Sequence, residues 1–287
     1  MKTSFLRRTL PATLGIIAAS CVSISREPSP EPVIKKFLPT TVRISFAERR
    51  VCIDSADLLV YDDSGLQKLA EHWHGKDTCF RIRLAEGDYT FVVLANLNGE
   101  LREESVSRYE YLESLDYRLA DEDPDAPLMS GTAYGKSGGD ISVSIEPLLC
   151  EVEIFSIESR LQNCDSPIRD LCVYLMNVNA LAEPLRKTGF RPSRMIDAGW
   201  LDMKEILSLR CPGMLYIDLR CDLGRNALHP HRSLYCYPND PAEAGLGTPW
   251  TAVAVEGSVD GERRCWVKEL GPLKRAGRTG VDLILED

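Results

Sequence analysis

The chain has 287 residues, 44% of them hydrophobic and 27% charged, with 7% aromatics; this ordinary globular composition excludes low-complexity, collagen-like and polytopic membrane classes. Lys and Arg number 34 against 43 Asp and Glu, a formal charge of −9, and three of the bases (Lys2, Arg7, Arg8) fall in the first 20 residues. The remainder is therefore more acidic still, which argues against a nucleic-acid partner.

Residues 1–20 have a basic start, an apolar stretch from Leu10 to Ala19, no acidic residue, and small residues just before Cys21. This reads as a secretory signal peptide, because the apolar stretch is well short of the ~20 residues of a spanning helix. Ala18-Ala19-Ser20-Cys21 resembles a bacterial lipobox, with Ala18 where Leu is usual, and so makes Cys21 a candidate for acylation as the first residue of a lipoprotein. The competing reading is ordinary cleavage near Ser20, with Cys21 a bystander. Residues 21–40 read as a tethering linker, since Ser25–Pro32 interleaves three prolines with charge and serine.

From Thr41 the apolar residues alternate, with Val42, Ile44 and Phe46 on one face of a strand and Arg43 and Ser45 on the other. Ala56–Tyr61 runs as a strand into a tight turn at Asp62-Asp63-Ser64-Gly65. Phe80, Ile82 and Leu84 alternate with arginines. Tyr89, Phe91, Val93, Ala95 and Leu97 share one face of a longer strand, and the apolar Val92 and Leu94 between them predict that it is covered on both sides. Leu112, Leu115 and Leu119 recur at helical spacing and predict one amphipathic helix over the 100–120 stretch. Ile141, Val143 and Ile145 resume alternation up to Pro147, which closes a first β-sandwich domain, residues 41–147.

A second β-sandwich domain, residues 148–287, opens with a strand from Leu149 to Ile157 and continues at Leu171–Val178. After a short helical candidate at Leu201–Leu207, strands follow around Leu215–Leu219, Leu234–Tyr237, Thr251–Val255, Cys265–Val267 and Val281–Leu285. Short strands separated by Gly, Pro and Asn turns imply a mainly β fold with one or two short helical insertions. No internal repeat of 20–50 residues is evident.

Several phrases, in order, resemble the fimbrillin family, the lipoprotein-derived pilins and associated subunits of type V pili. In the first half these are LLVYDDSG (Leu58–Gly65), LAEGDYTFVVLANL (Leu84–Leu97) and PLMSG (Pro127–Gly131). In the second they are LLCEVEIFSI (Leu148–Ile157), YLMNVNA (Tyr174–Ala180), LYCYPND (Leu234–Asp240) and AVAVEG (Ala252–Gly257). The resemblance implies two tandem transthyretin-like β-sandwiches and a subunit that builds or anchors a surface fimbrium and supports adhesion.

It also implies assembly by β-strand complementation. In that family an arginine-specific protease removes a first strand, and a neighbouring subunit's strand fills the exposed groove, gaining backbone hydrogen bonds and apolar burial. The matching removable strand is Thr41–Ala47, carried by Val42, Ile44 and Phe46, and the candidate processing site is Arg49-Arg50; a solvated turn is the competing reading of those two arginines. The last alternating strand, Val281, Leu283 and Leu285, is followed only by Glu286 and Asp287, which leaves little tail to donate onward and favours an anchor or accessory subunit over a main shaft subunit. The expected partners are other fimbrial subunits, the outer membrane through the lipid, and host or bacterial surface ligands. The expected location is the outer membrane, cell surface or fimbrium.

Catalytic chemistry finds little support. His72-Trp73-His74 and His229-Pro230-His231 have the spacing of paired metal ligands, but both read as loops without an orderly CxxC partner, so no metal or cofactor is expected. Gly135-Lys136-Ser137 ends like a phosphate loop, yet a strand follows it and the earlier glycine is misplaced. No GxSxG or HExxH is present, and Asp62-Asp63 reads as solvated turn carboxylates. The chain is therefore expected not to be an enzyme. Beyond Cys21 nine cysteines remain, an odd number that leaves at least one unpaired; one to three disulfides at most are expected in an oxidising compartment, with connectivity open. The alternative function is a glycan-binding surface lipoprotein, which would use Trp73, Trp200, Trp250 and Tyr237 as an aromatic platform.

Overall fold

A computed structural model describes residues 35–46, 52–162, 167–185, 195–196, 214–240 and 248–287. The first half contributes β1 (Phe37–Phe46), β2 (Ala56–Asp62), β3 (Leu69–Gly75), β4 (Cys79–Ala85) and β5 (Asp88–Ala95). Two short helices follow, α1 (Glu103–Val106) and α2 (Tyr109–Glu113), then β6 (Tyr117–Arg118), β7 (Met129–Lys136) and β8 (Asp140–Pro147). The second half contributes β9 (Cys150–Ser159), β10 (Arg169–Met176), β11 (Val178–Asn179), β12 (Leu181–Ala182) and β13 (Met195–Ile196). It ends with β14 (Tyr216–Asp218), β15 (Arg232–Cys236), β16 (Ala252–Val259), β17 (Glu262–Glu269) and β18 (Arg278–Leu285).

The strands form two sandwiches of one topology. In the first, the order β3-β2-β5-β7 continues into β8-β1-β4, because β7 and β8 pair briefly at Met129↔Pro147 and Ser130↔Glu146. In the second, β14-β10-β16-β17 faces β15-β9-β18. Strand for strand, β1 corresponds to β9, β4 to β15 and β8 to β18. In each half the opening strand is antiparallel to one neighbour and parallel to the closing strand. The repeated unit is about half the chain, longer than a 20–50-residue repeat.

Apolar alternation explains the cores. Val42, Ile44, Phe80, Ile82, Leu84, Val143 and Ile145 meet Leu58, Val60, Phe91 and Val93 inside the first sandwich. The opposite face of β2 and β5, with Leu59, Tyr61, Val92 and Leu94, is buried beneath Val106 and Leu112, so β5 is covered on both sides as expected. A second core runs from Leu148 and Val152 through Leu175, Leu234 and Val255 to Leu285. The β16–β17 hairpin turns on Asp260-Gly261, both at positive φ (51° and 87°), the two-residue connection that suits the twist of paired strands.

Three local expectations are corrected. Instead of one helix over 100–120 there are α1, α2, the two-residue β6 and a 3-10 turn at Leu119–Asp121, because Leu112 and Leu119 enter different cores. The His72–His74 stretch is not a loop; it lies in β3, an edge strand whose polar side chains hide it from an apolar pattern. β1 starts at Phe37, four residues before the alternation signals it, since Phe37 and Pro39 are exposed on the outer side. The helical candidate Leu201–Leu207 lies outside the described residues.

Candidate strand-exchange site

β1 lies between β4 and β8 and pairs with both. Its antiparallel register to β4 runs from Phe37↔Ala85 to Arg43↔Cys79, and its parallel register to β8 from Thr41↔Asp140 to Phe46↔Ile145. Irregular backbone bonds extend the ladders at their ends. Thr41 N–H donates to the Gly139 carbonyl (3.1 Å), Ile44 N–H to the Thr78 carbonyl (2.8 Å), and Glu86 N–H to the Lys36 carbonyl (2.8 Å). The Gly138 N–H donates to Thr40 Oγ1 at 2.9 Å, and Gly138 itself sits at φ 85°, where a side chain is disfavoured and would press on Leu38.

Thr40, Val42 and Ile44 point into the sandwich and are buried, while Arg43 is exposed. Phe46 keeps the same side of the strand but emerges at its end, 40% exposed. Burying Val42 and Ile44 contributes about 1.5–3 kcal/mol each. Without β1, the inner edges of β4 and β8 would lose their backbone partners above an apolar trough floored by Leu58, Val60, Phe91 and Val93. Such a trough accepts an extended segment with small or β-branched apolar residues at every second position. Of the other candidate positions, Cys21, Arg49 and Arg50 lie outside the described residues.

The junction between the sandwiches is polar and buried, and its residues carry no sequence signal. Arg275 is enclosed and donates to four carbonyls: Nε to Pro147 (3.2 Å), Nη1 to Pro184 (2.8 Å), and Nη2 to Ser130 (2.8 Å) and Glu146 (2.7 Å). Burial lowers its pKa to about 10, opposed by the Glu146 carboxylate at 3.4 Å. Glu122 accepts from Leu128 N–H (3.0 Å) and from the Tyr237 hydroxyl (2.9 Å). Burial pushes the Glu122 carboxyl up to about 7 against both of those hydrogen bonds. Strands β6 and β12 also pair across this junction.

The remaining candidate groups are occupied locally. His72 Nε2 and His74 Nδ1 both contact Asp57 Oδ1, at 2.8 and 3.1 Å, across the β2–β3 ladder. His231 Nδ1 lies 3.7 Å from Glu153, which also takes Arg278. The Asp62 carboxylate accepts from the Ser64 hydroxyl and the Lys68 N–H, so it closes its own turn. Ser137, from the loop-like Gly135-Lys136-Ser137, starts the turn between β7 and β8. Tyr237 is fully buried and bound to Glu122, hence unavailable to stack on a sugar; Trp73 is 45% exposed on β3, Trp250 is partly buried, and Trp200 lies outside the described residues.

No family model matches the sequence, and no curated protein sequence matches it. Solved structures do. A candidate cell adhesion protein from Bacteroides eggerthii superposes with a TM-score of 0.60 at 14% identity, over 88% of this chain and 87% of that one. The chain has the fold of fimbrillin-like proteins. A fimbrilin from Porphyromonas gingivalis aligns at a TM-score of 0.53 and 12% identity, over 78% of this chain and 71% of that one. A fimbrial assembly protein from Parabacteroides distasonis aligns at 0.51 and 10%, over 87% and 91%. The fimbrillin-like fold is thus shared with little sequence in common, as expected where alternating apolar strands, and not particular residues, carry the architecture.

Proposed function

We propose that the chain is a fimbrial subunit at the cell surface, an anchor or accessory component that supports adhesion and assembles by exchange of β1. The observation that carries this reading is the placement of β1 between β4 and β8, so that loss of one amino-terminal strand opens two backbone edges and an apolar trough together. The fold shared with a fimbrilin and a fimbrial assembly protein supports the same role. The anchor assignment rests on the Ala18–Cys21 sequence, which would tether the body to the outer membrane. In a processed accessory subunit the cut would fall at Arg49-Arg50 and release the body from the Cys21 tether, whereas an anchor would stay uncut; the division into 41–147 and 148–287 would give one exchange-competent sandwich followed by a second.

The test pairs terminal mapping with reconstitution. Protein from its native membrane fraction is mapped for its first residue: acylated Cys21 marks an anchor or uncut precursor, and a start near Val51 marks a processed subunit. In parallel, the body beginning before β1 is expected to be monomeric, whereas the chain trimmed through Arg50 oligomerises or captures a peptide of residues 37–46. A trimmed chain that stays monomeric and ignores the peptide rules strand exchange out.

A further inference from the structure

The antiparallel ladder between β9 and β15 sets Cys150 directly opposite Cys236. Facing residues in such a ladder have Cα atoms about 4.5 or 5.5 Å apart, within the roughly 4.4–6.8 Å that a disulfide spans. The side chains agree with the register. The two sulfurs are 3.6 Å apart in the thiol form, and the residues are 2% and 0% exposed. Among the described residues this opposition is not repeated: Cys79 faces Arg43, Cys172 faces Asp218 and Glu256, and Cys265 faces Glu256.

We propose that Cys150 and Cys236 form an intramolecular disulfide in the exported protein, fastening β9 to β15. The electrons leave by thiol–disulfide exchange with a disulfide oxidant, a dithiol oxidoreductase of the envelope or oxidised glutathione in vitro. One cysteine thiolate attacks the oxidant's disulfide and releases one thiol; the second thiolate then attacks the mixed disulfide and releases the other. Two protons and two electrons pass from the pair, and the oxidant ends as two thiols. The Cys236 thiol is held far above its ordinary range by its hydrogen bond with Cys150 and by burial. Since the thiolate is the nucleophile, exchange belongs to the folding chain, before β9 and β15 close, and the folded protein shields the finished bond.

The bond has a consequence for assembly. β9 holds the place in the second sandwich that β1 holds in the first, between an antiparallel neighbour and a parallel closing strand. The β1–β4 ladder contains Cys79 opposite Arg43 and has no matching pair. A covalent tie on β9 confines strand exchange to the first sandwich; this consequence rests on the proposed exchange of β1, whereas the disulfide does not.

Full-length protein from the cell envelope is alkylated while unfolded and without reductant, then digested and mapped by mass spectrometry. The expected result is one linked pair of peptides joined through Cys150 and Cys236, lighter than their sum by two hydrogens. Recovery of both cysteines as separately alkylated peptides, or either one joined elsewhere, overturns the proposal. Protein refolded in a glutathione buffer gives the second readout: prior reduction lowers Tm by about 5–15 °C, a response missing in the double variant C150A/C236A. Identical responses of the two proteins overturn the lock. A trimmed chain that fails to capture the residue 37–46 peptide would sink strand exchange while leaving the mapped bond in place.

Discussion

Glu122 shows what a single carboxyl does when tertiary structure buries it. Its folded pKa of about 7 lies above the ordinary 4.5, so between those values the folded chain holds a proton that the unfolded chain has lost. The sign follows: the stability contribution is complete below about 4.5 and is lost as pH rises through about 7. Wild-type protein is expected to lose about 1–3 kcal/mol between pH 5 and 8 from this residue. Glu122→Gln keeps an oxygen to accept hydrogen bonds and removes the titration, so urea denaturation should give it a flatter profile in that window; equal slopes in the two proteins would refute the assignment. In the sequence Glu122 stands between Asp121 and Asp123, in an acidic run that continues to Pro124-Asp125. Nothing local separates Glu122 from its neighbours, because the Tyr237 hydroxyl that meets it comes from 115 residues away.

At the scale of elements, β1 presents two chemically different faces, and strand exchange would read only one. In the residue 37–46 peptide, replacing Val42 and Ile44 by Ser removes two fully engaged apolar side chains from the trough, worth about 1.5–3 kcal/mol each. Capture by the trimmed chain should weaken by about 100-fold or more, measured by fluorescence anisotropy of a labelled peptide. Arg43→Ala, on the exposed face, should change it by less than about threefold. Equal losses from both faces would mean nonspecific adhesion of the peptide. The same alternation makes β1, β4, β8 and β18 legible in the sequence, because each buries every second side chain, whereas β5 is legible as an unbroken apolar run because it is covered on both faces. Both signals fail elsewhere. β3 is an edge strand whose His72 and His74 satisfy Asp57, and the leucines of the 100–120 stretch serve separate cores from several short elements.

For the whole molecule the two sandwiches repeat one topology but are not fastened alike. β7 and β8 join through two backbone pairs, whereas β17 reaches β18 through side chains, Trp266 Nε1 to the Glu286 carbonyl (2.8 Å) and Lys268 Nζ to the Asp282 carbonyl (2.8 Å). Among the links between the halves is Arg275, which comes from the segment before β18 and bonds carbonyls of β7, β8 and the stretch after β12. Removing its guanidinium takes a donor from four carbonyls, of which Pro184 keeps the Ser130 hydroxyl, at a cost of about 1–3 kcal/mol for each one left without a partner that water does not reach. Arg275→Ala should therefore lower stability by several kcal/mol and uncouple the halves. Hydrogen exchange of β5 and β16 peptides along a urea series should then show two midpoints in place of the single one expected of the wild type. Arg275→Lys should not restore coincidence, since one ammonium cannot span carbonyls arranged around a planar fork. If the variant unfolds with coincident midpoints, the coupling lies instead in the β6–β12 pairing and the Glu122–Tyr237 contact, which would then be the next pair to break.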